Sequence, residues 1–311
     1  MTSNSELFGT ILEYPDARAQ HRFQALVGID DIKTRLVNEA AALLDPKILE
    51  DWSQQHYRKQ VPLVGAMKER TPLFVFAGDV GTGKTELAES VGDPIARSLN
   101  LDPLTLFPLS LTARGRGLVG EMTTLIVQAF EFVRGEMGSA RDSRGRVRKA
   151  AILLIDEADA LAQSRELAQM HHEDRAGVNA LIRSIDELRR DGLPILTIMS
   201  TNRVDAIDPA IARRAARIFR FERPNCEQRL ALLEASLVGT GLSADTMSAA
   251  ASLLGGTDEA PWGATYSDIR QRFIPDLVIG AVERRQPLSS EMVFVAAQEF
   301  EPTRPFGANN D

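Results

Sequence analysis

An α/β fold on a five-stranded parallel sheet, followed by a small helical region, is what the sequence predicts. Three observations predict it. Short apolar runs rich in β-branched residues alternate with helical periodicity as far as residue 222. A glycine-rich loop joins the first of these runs to a helix, which is the setting of a phosphate-binding turn. Past Arg223-Pro224-Asn225 the strand signals stop and only helical periodicity continues.

The expected strands are Leu73–Ala77, Thr105–Leu109, Ala151–Ile155, Ile195–Ser200 and Ile218–Phe221. They are apolar throughout, as strands buried on both faces of a parallel sheet are. Helices are expected near 84–99, 121–136, 175–190 and 208–216. Asp93-Pro94 should kink the first of them or end it early, because proline lacks the amide donor. Further helices are expected near 225–237, 243–254, 266–284 and 290–300. Asn225 with Gln228 three residues on has the capping-box pattern, and Gly255-Gly256 is a natural stop. Residues 1–222 therefore read as a large α/β domain and 223–311 as a small helical one.

The chain of 311 residues has 36 basic and 43 acidic side chains, a formal charge of −7, with 44% apolar and 25% charged residues. That composition excludes a disordered chain. The lone cysteine, Cys226, excludes an internal disulfide and fits a reducing, cytoplasmic setting. The amino-terminal stretch MTSNSELFGT has no secretory pattern. No apolar run approaches the roughly 20 residues that span a bilayer, so no membrane role is expected. The acidic balance argues against a nucleic-acid-coating protein.

Gly78-Asp79-Val80-Gly81-Thr82-Gly83-Lys84-Thr85 satisfies G-x-x-x-x-G-K-[ST] after a strand and before a helix. The backbone N–H groups of Asp79 to Gly83 are expected to wrap phosphate, helped by the helix N-terminus. Lys84 would reach the β- and γ-phosphates of ATP, and the Thr85 hydroxyl would ligate Mg²⁺. The strand Ala151–Ile155 ends in Asp156-Glu157, placing two carboxylates at the sheet edge beside that loop. Asp156 is expected to hold Mg²⁺ and Glu157 to polarise the attacking water. One strand later, Asn202 of Ser200-Thr201-Asn202 offers an amide to that water or to the γ-phosphate. Arg213, Arg214 and Arg217 follow on a helix and suit arginine fingers reaching a neighbouring subunit's nucleotide.

In this order the motifs resemble those of the AAA+ ATPases over about residues 23 to 300. The resemblance implies the strand order 5-1-4-3-2, a carboxy-terminal helical lid, and a homohexamer with active sites at subunit interfaces. It implies that Val27 and Gly28, in Ala25-Leu-Val-Gly28-Ile29, approach the adenine, and that Arg214 is at the usual finger position, with Arg213 and Arg217 as alternatives. Leu118-Val119-Gly120 is similar to the substrate-gripping pore loop, with Leu118 where the family carries an aromatic residue. Ala162–Arg175, with His171-His172, is similar to a second pore loop. The lid's sensor-two position falls on Ser267, with Arg270 one helical step further.

The run Ile155-Asp-Glu-Ala-Asp-Ala-Leu and the later Arg175-Ala-Gly-Val-Asn179-Ala-Leu-Ile-Arg-Ser-Ile-Asp186 resemble the pachytene-checkpoint branch. Those enzymes remodel HORMA-domain proteins by pulling their N-terminal segment through the pore. Compact bacterial relatives restrain cGAS/DncV-like nucleotidyltransferases of CBASS antiphage systems. About 25 residues precede the ATPase start here, too few for the adaptor-binding domain of the eukaryotic members. A nucleic-acid motor or clamp-loader-like ATPase is the alternative. Its support is Arg141–Lys149, whose five basic residues and one acidic give +4 without an aromatic residue. That run is expected to be a mobile loop, and Trp52 and Tyr57 to be packing residues.

Overall fold

The computed structural model describes residues 7–109, 121–159, 172–203, 207–257 and 261–305, with backbone alone at 121 and 172–175. β1 (Leu12–Tyr14) leads into α1 (Ala17–Ala25), α2 (Asp30–Leu44), α3 (Lys47–Tyr57) and α4 (Pro62–Lys68). Strands and helices then alternate: β2 (Leu73–Gly78), α5 (Lys84–Ser90), α6 (Gly92–Leu99), β3 (Leu104–Leu109), α7 (Glu121–Glu136), β4 (Ala150–Ile155), α8 (His172–Asp191), β5 (Ile195–Thr201), α9 (Pro209–Arg214) and β6 (Arg217–Phe221). The rest is helical: α10 (Cys226–Ser236), α11 (Ala244–Leu253), α12 (Tyr266–Asp268), a π-helical turn at Ile269–Phe273, α13 (Ile274–Arg284) and α14 (Ser290–Gln298). The helix after the phosphate loop does break, at Val91, before Gly92-Asp93-Pro94.

The sheet runs β1-β3-β4-β5-β2-β6. Numbering the five expected strands in chain order gives 5-1-4-3-2. The strand count of five is corrected to six, and the sheet is mixed rather than wholly parallel. The addition is β1, which lies antiparallel to β3 with Leu12 opposite Leu106. Only three residues long, it carries too little pattern to be seen in sequence. It is held in space by Tyr14, 2% exposed, whose hydroxyl donates to the Glu89 carbonyl. β3, β4 and β5 pair in parallel, Leu153 lying beside Phe107 and Thr197.

The chain divides into two compact units. The first comprises Met1–Ala25, Asp31–Ala77 and Thr85–Arg220. Every residue of β4 and β5 is buried, which is why those strands read as unbroken apolar runs. Val75, Leu153 and Met199 pack with Phe130 of α7 and Leu181 and Ile185 of α8. Each such side chain contributes about 1.5–3 kcal/mol by leaving water. Their role here is to fix the carboxyl ends of β4 and β5, where the polar residues sit. Glu39 of α2 is also buried, and it is paired to Arg70 at 2.9 Å and Arg217 at 2.5 Å. Burial pushes its carboxyl up, but the bonds from Arg70 and Arg35 and the charge of Arg217 outweigh that and hold it below the usual range.

The second unit comprises Leu26–Asp30, Gly78–Lys84 and Phe221–Asp311. Its core is Leu232 and Leu233 of α10, Ala250 and Ala251 of α11, Ile269, Phe273, Leu277 and Val293. The capping box forms: Asn225 accepts from the Gln228 amide at 2.9 Å, and the Gln228 side chain returns the bond. Asp268 closes a second one with Thr265, then accepts from the Thr303 amide at 3.1 Å and the Thr303 hydroxyl at 2.5 Å. Burial raises its carboxyl, yet these hydrogen bonds outweigh burial and depress it below the ordinary value. A depressed pKa stabilises the fold above the unfolded value of about 4 and ceases to do so as pH falls through the folded value. Asp268→Asn is therefore expected to unfold at lower urea than the parent at pH 7. The gap should close as pH falls below about 4, which paired urea titrations at both pH values will read.

Candidate active site

The phosphate loop is built from its backbone outward. Gly78 ends β2 against Phe221, and a Cβ there would lie 2.1 Å from the Phe221 carbonyl oxygen. Only glycine allows that approach. Lys84, 6% exposed, donates to the carbonyls of Gly78 at 2.9 Å and Asp79 at 2.7 Å. The Thr82 hydroxyl also donates to the Asp79 carbonyl, at 2.7 Å. The Asp79 carboxylate receives a forked bond from Arg223, 2.8 Å from Nε and 2.5 Å from Nη2. Arg223 also donates to the Gly263 carbonyl at 2.7 Å. Arg223 thus ties the loop to the residues after β6, in addition to the bonds from Lys84 and Thr82. Arg223 was visible only as part of a domain boundary.

Other residues of the same unit brace the loop. The Ser267 amide donates to the Gly81 carbonyl at 3.0 Å, so the residue at the sensor-two position touches the loop by its backbone. Gly28 has φ +79°, which favours glycine, and its carbonyl accepts from the Gln228 side chain at 2.5 Å. A Cβ on Gly28 would lie 2.9 Å from the Tyr266 hydroxyl. Burial, and then the Asp30 charge, push that Tyr266 phenol up to about 12, so it stays a neutral donor at neutral pH. Val27 precedes this turn, and Val80 is exposed at the loop tip.

In the first unit the helix α5 begins where the loop ends. The Thr85 hydroxyl lies 3.4 Å from Asp156 Oδ1. The same oxygen accepts from the Ser200 hydroxyl and, at 3.0 Å, from the Glu157 amide. Glu157 has φ +50°, a left-handed conformation that a glutamate rarely adopts. It is held there because the next amide, Ala158, donates to the Ser200 carbonyl at 2.9 Å. The result is an exposed Glu157 carboxylate beside a half-buried Asp156. Both bonds to Ser200 come from β5, so the β4–β5 register aims the Glu157 backbone.

Asp159 completes this edge. One of its oxygens accepts from the Thr201 hydroxyl at 2.5 Å and the Asn202 amide at 2.8 Å, while the other accepts from the Asn202 side-chain Nδ2 at 3.1 Å. The chain thus brings Thr85, Asp156, Glu157 and Asn202 to one edge, with Ser200 and Asp159 as their supports. Asp159 stood in the acidic run of the sequence, two residues past Glu157, but its pairing to β5 was not legible there. Thr85 and Asp156 present two hard oxygen ligands of the kind that suits Mg²⁺, which keeps several waters.

The arginines fall elsewhere on the first unit. Arg214 is engaged by Asp186 of α8 at 3.2 Å and donates to the Ala210 carbonyl at 3.3 Å. Arg213 is exposed and donates to the Pro209 carbonyl at 3.2 Å. Arg217 is the partner of Glu39 already described. Leu118, Val119 and Gly120, and residues 162–171 of the second loop, lie outside the described residues.

Residues 74–223 match the model of the ATPase family associated with various cellular activities (AAA). CD-NTase-associated protein 6 of Escherichia coli strain MS 115-1 is 47% identical over 279 residues, covering 90% of this chain and 89% of that protein. The chain belongs to that family of AAA ATPases. Two solved structures agree. A chain of the E. coli MS115-1 HORMA:CdnC:Trip13 complex superposes with a TM-score of 0.90 at 44% identity, over 98% of this chain and 99% of that one. Rhizobiales Trip13 does so with 0.75 at 40% identity, over 96% and 100%. Membership in this AAA family makes the protein a nucleotide-binding ATPase, and no helix among the described residues is long and apolar enough to cross a membrane.

Proposed function

We propose that this protein is an ATP-driven remodeller that pulls on a HORMA-domain protein and disassembles its complex with a cGAS/DncV-like nucleotidyltransferase, restraining a CBASS antiphage system in the cytoplasm. The observation that carries this is likeness along nearly the whole chain to a component of a HORMA:CdnC:Trip13 complex, at 44% identity. The working form is a homohexamer. Residues 1–222 serve as the ATPase body and 223–311 as its lid, and Val27 and Gly28 meet the adenine.

ATP is held by the backbone of Asp79 to Gly83 and by Lys84, whose ammonium exchanges its carbonyl partners for phosphate oxygens. Thr85 and Asp156 hold Mg²⁺, which when bound neutralises phosphate charge. Glu157, set outward by its left-handed backbone, takes the proton of the attacking water. Asn202 orients that water or the γ-phosphate, and Arg214 or Arg213 of a neighbouring subunit supplies charge to the transition state. For Arg214 this means leaving Asp186, so Asp186 is a resting partner for it. Leu118, Val119 and Gly120 grip the client's N-terminal segment in the pore.

Asp159 accepts from both the backbone N–H and the side-chain amide of Asn202, so it acts as a positioning residue. Asp159→Ala is expected to lower kcat for ATP about tenfold while leaving KM within about twofold, because the misplaced amide is felt in the transition state. Steady-state ATPase assays separate the two constants. The assignment as a whole is tested by a pull-down from native lysate with Glu157→Gln in the presence of ATP. Recovery of a HORMA-domain protein, lost in Lys84→Ala, is expected. Recovery of nucleic acid with replication proteins instead would support a DNA motor.

A further inference from the structure

The basic run Arg141–Lys149 has no part in this chemistry, and it is not the mobile loop its composition suggests. It is a closed β-turn hairpin. Asp142 Oδ1 accepts from the amides of Arg144 at 2.9 Å and Arg146 at 3.0 Å, Arg141 pairs with Val147, and Val147 is buried. The backbone is thereby fixed while Arg144, Arg146 and Arg148 stand exposed.

The hairpin is fastened to the edge of a cleft. Arg141 donates to the Gly192 carbonyl at 3.4 Å and lies 3.8 Å from the Asp45 carboxylate. Gly192 lines the cleft, as does Pro46 next to Asp45. The cleft holds about 50 Å³, with Leu43, Met67, Leu188 and Leu193 as its aliphatic lining and Lys68 and Arg189 among its charged residues. Three of the acids nearby are already engaged, Asp45 by Arg141, Glu50 by Lys68, and Asp191 by Arg134 at 2.5 Å, while Glu69 stands exposed beside the cleft. What else is left over is positive charge from Arg144, Arg146, Arg189 and Arg190, on a chain whose net charge is −7.

We propose that this cleft and hairpin form a docking surface for an acidic peptide segment of a partner protein, anchored by one aliphatic side chain. The lining accepts an aliphatic group. No aromatic residue stands among the cleft residues or the hairpin to stack on a base. Acidic residues on either side of the anchor meet the arginines of the hairpin and of the α8 end. The whole surface belongs to the first unit.

The test is fluorescence anisotropy of the full chain with a labelled peptide carrying one leucine between acidic triplets. Saturable binding is expected, weakened about tenfold or more by leucine→serine in the peptide, by Met67→Glu, or by Arg144→Glu with Arg189→Glu. ATP hydrolysis in the two variants should stay at the parental rate, which shows that they fold. Loss of binding at high salt is expected as well. The proposal is overturned if no peptide binds, or if the serine peptide binds as well as the leucine one. It is equally overturned if a short DNA duplex binds more tightly and loses its site in the same double variant. Dissociation of an oligomer by that variant would make the surface a contact between copies, which also overturns it.

Discussion

Glu157→Gln is expected to cut ATP turnover by about 10²- to 10³-fold while ATP still binds. The glutamine keeps the size and the hydrogen-bonding oxygen but cannot take a proton from water. A loss of that size is about 2.7–4 kcal/mol of transition-state stabilisation, within the range of a single general base. The geometry supports a specific effect. Glu157 is exposed and its backbone is fixed by Asp156 and Ser200, so the exchange leaves the surrounding bonds in place. Single-turnover assays with radiolabelled ATP, read beside nucleotide retention on a filter, separate the hydrolysis defect from binding. Turnover above a tenth of the parental rate would remove Glu157 from the role of base.

Lys84→Ala is expected to weaken ATP binding by two to three orders of magnitude, at about 1.4 kcal/mol per tenfold. The Lys84 ammonium is nearly buried and faces two loop carbonyls. A desolvated cation so placed interacts strongly with a triphosphate, because little water screens it. The substitution also removes the two hydrogen bonds from Lys84 to the loop carbonyls. Thermal unfolding is therefore measured alongside: a small drop in Tm with a large loss of affinity assigns the effect to phosphate binding. Isothermal titration with a slowly hydrolysed ATP analogue reads the affinity directly.

The parts of this account that were legible in sequence share one property: their cause is local. β2, β4 and β5 are buried on both faces, so they read as apolar runs. The phosphate loop carries its glycines and Lys84 in eight consecutive residues. Asn225 and Gln228 cap a helix within one turn. What was not legible depends on partners far along the chain. α2 buries Glu39 and Lys33, which blurs its apolar stripe, and besides Arg35 on the same helix Glu39 is paired by the distant Arg70 and Arg217. Asp79 needs Arg223, and Asn202 needs Asp159, and neither pairing has a spacing that announces it. Trp52 and Tyr57 make the same point in reverse. They read as packing residues, but they stack edge to face with each other at 5.4 Å while 39% and 51% exposed.

The most direct test of the remodelling account uses a purified HORMA protein–nucleotidyltransferase complex carrying a donor and an acceptor dye on its two components. Energy transfer is followed after adding this protein and ATP. The account predicts a loss of transfer that needs ATP and is absent with Glu157→Gln. If transfer persists while the parental protein hydrolyses ATP at its full rate, the enzyme is an ATPase acting on some other client, and the HORMA assignment is contradicted.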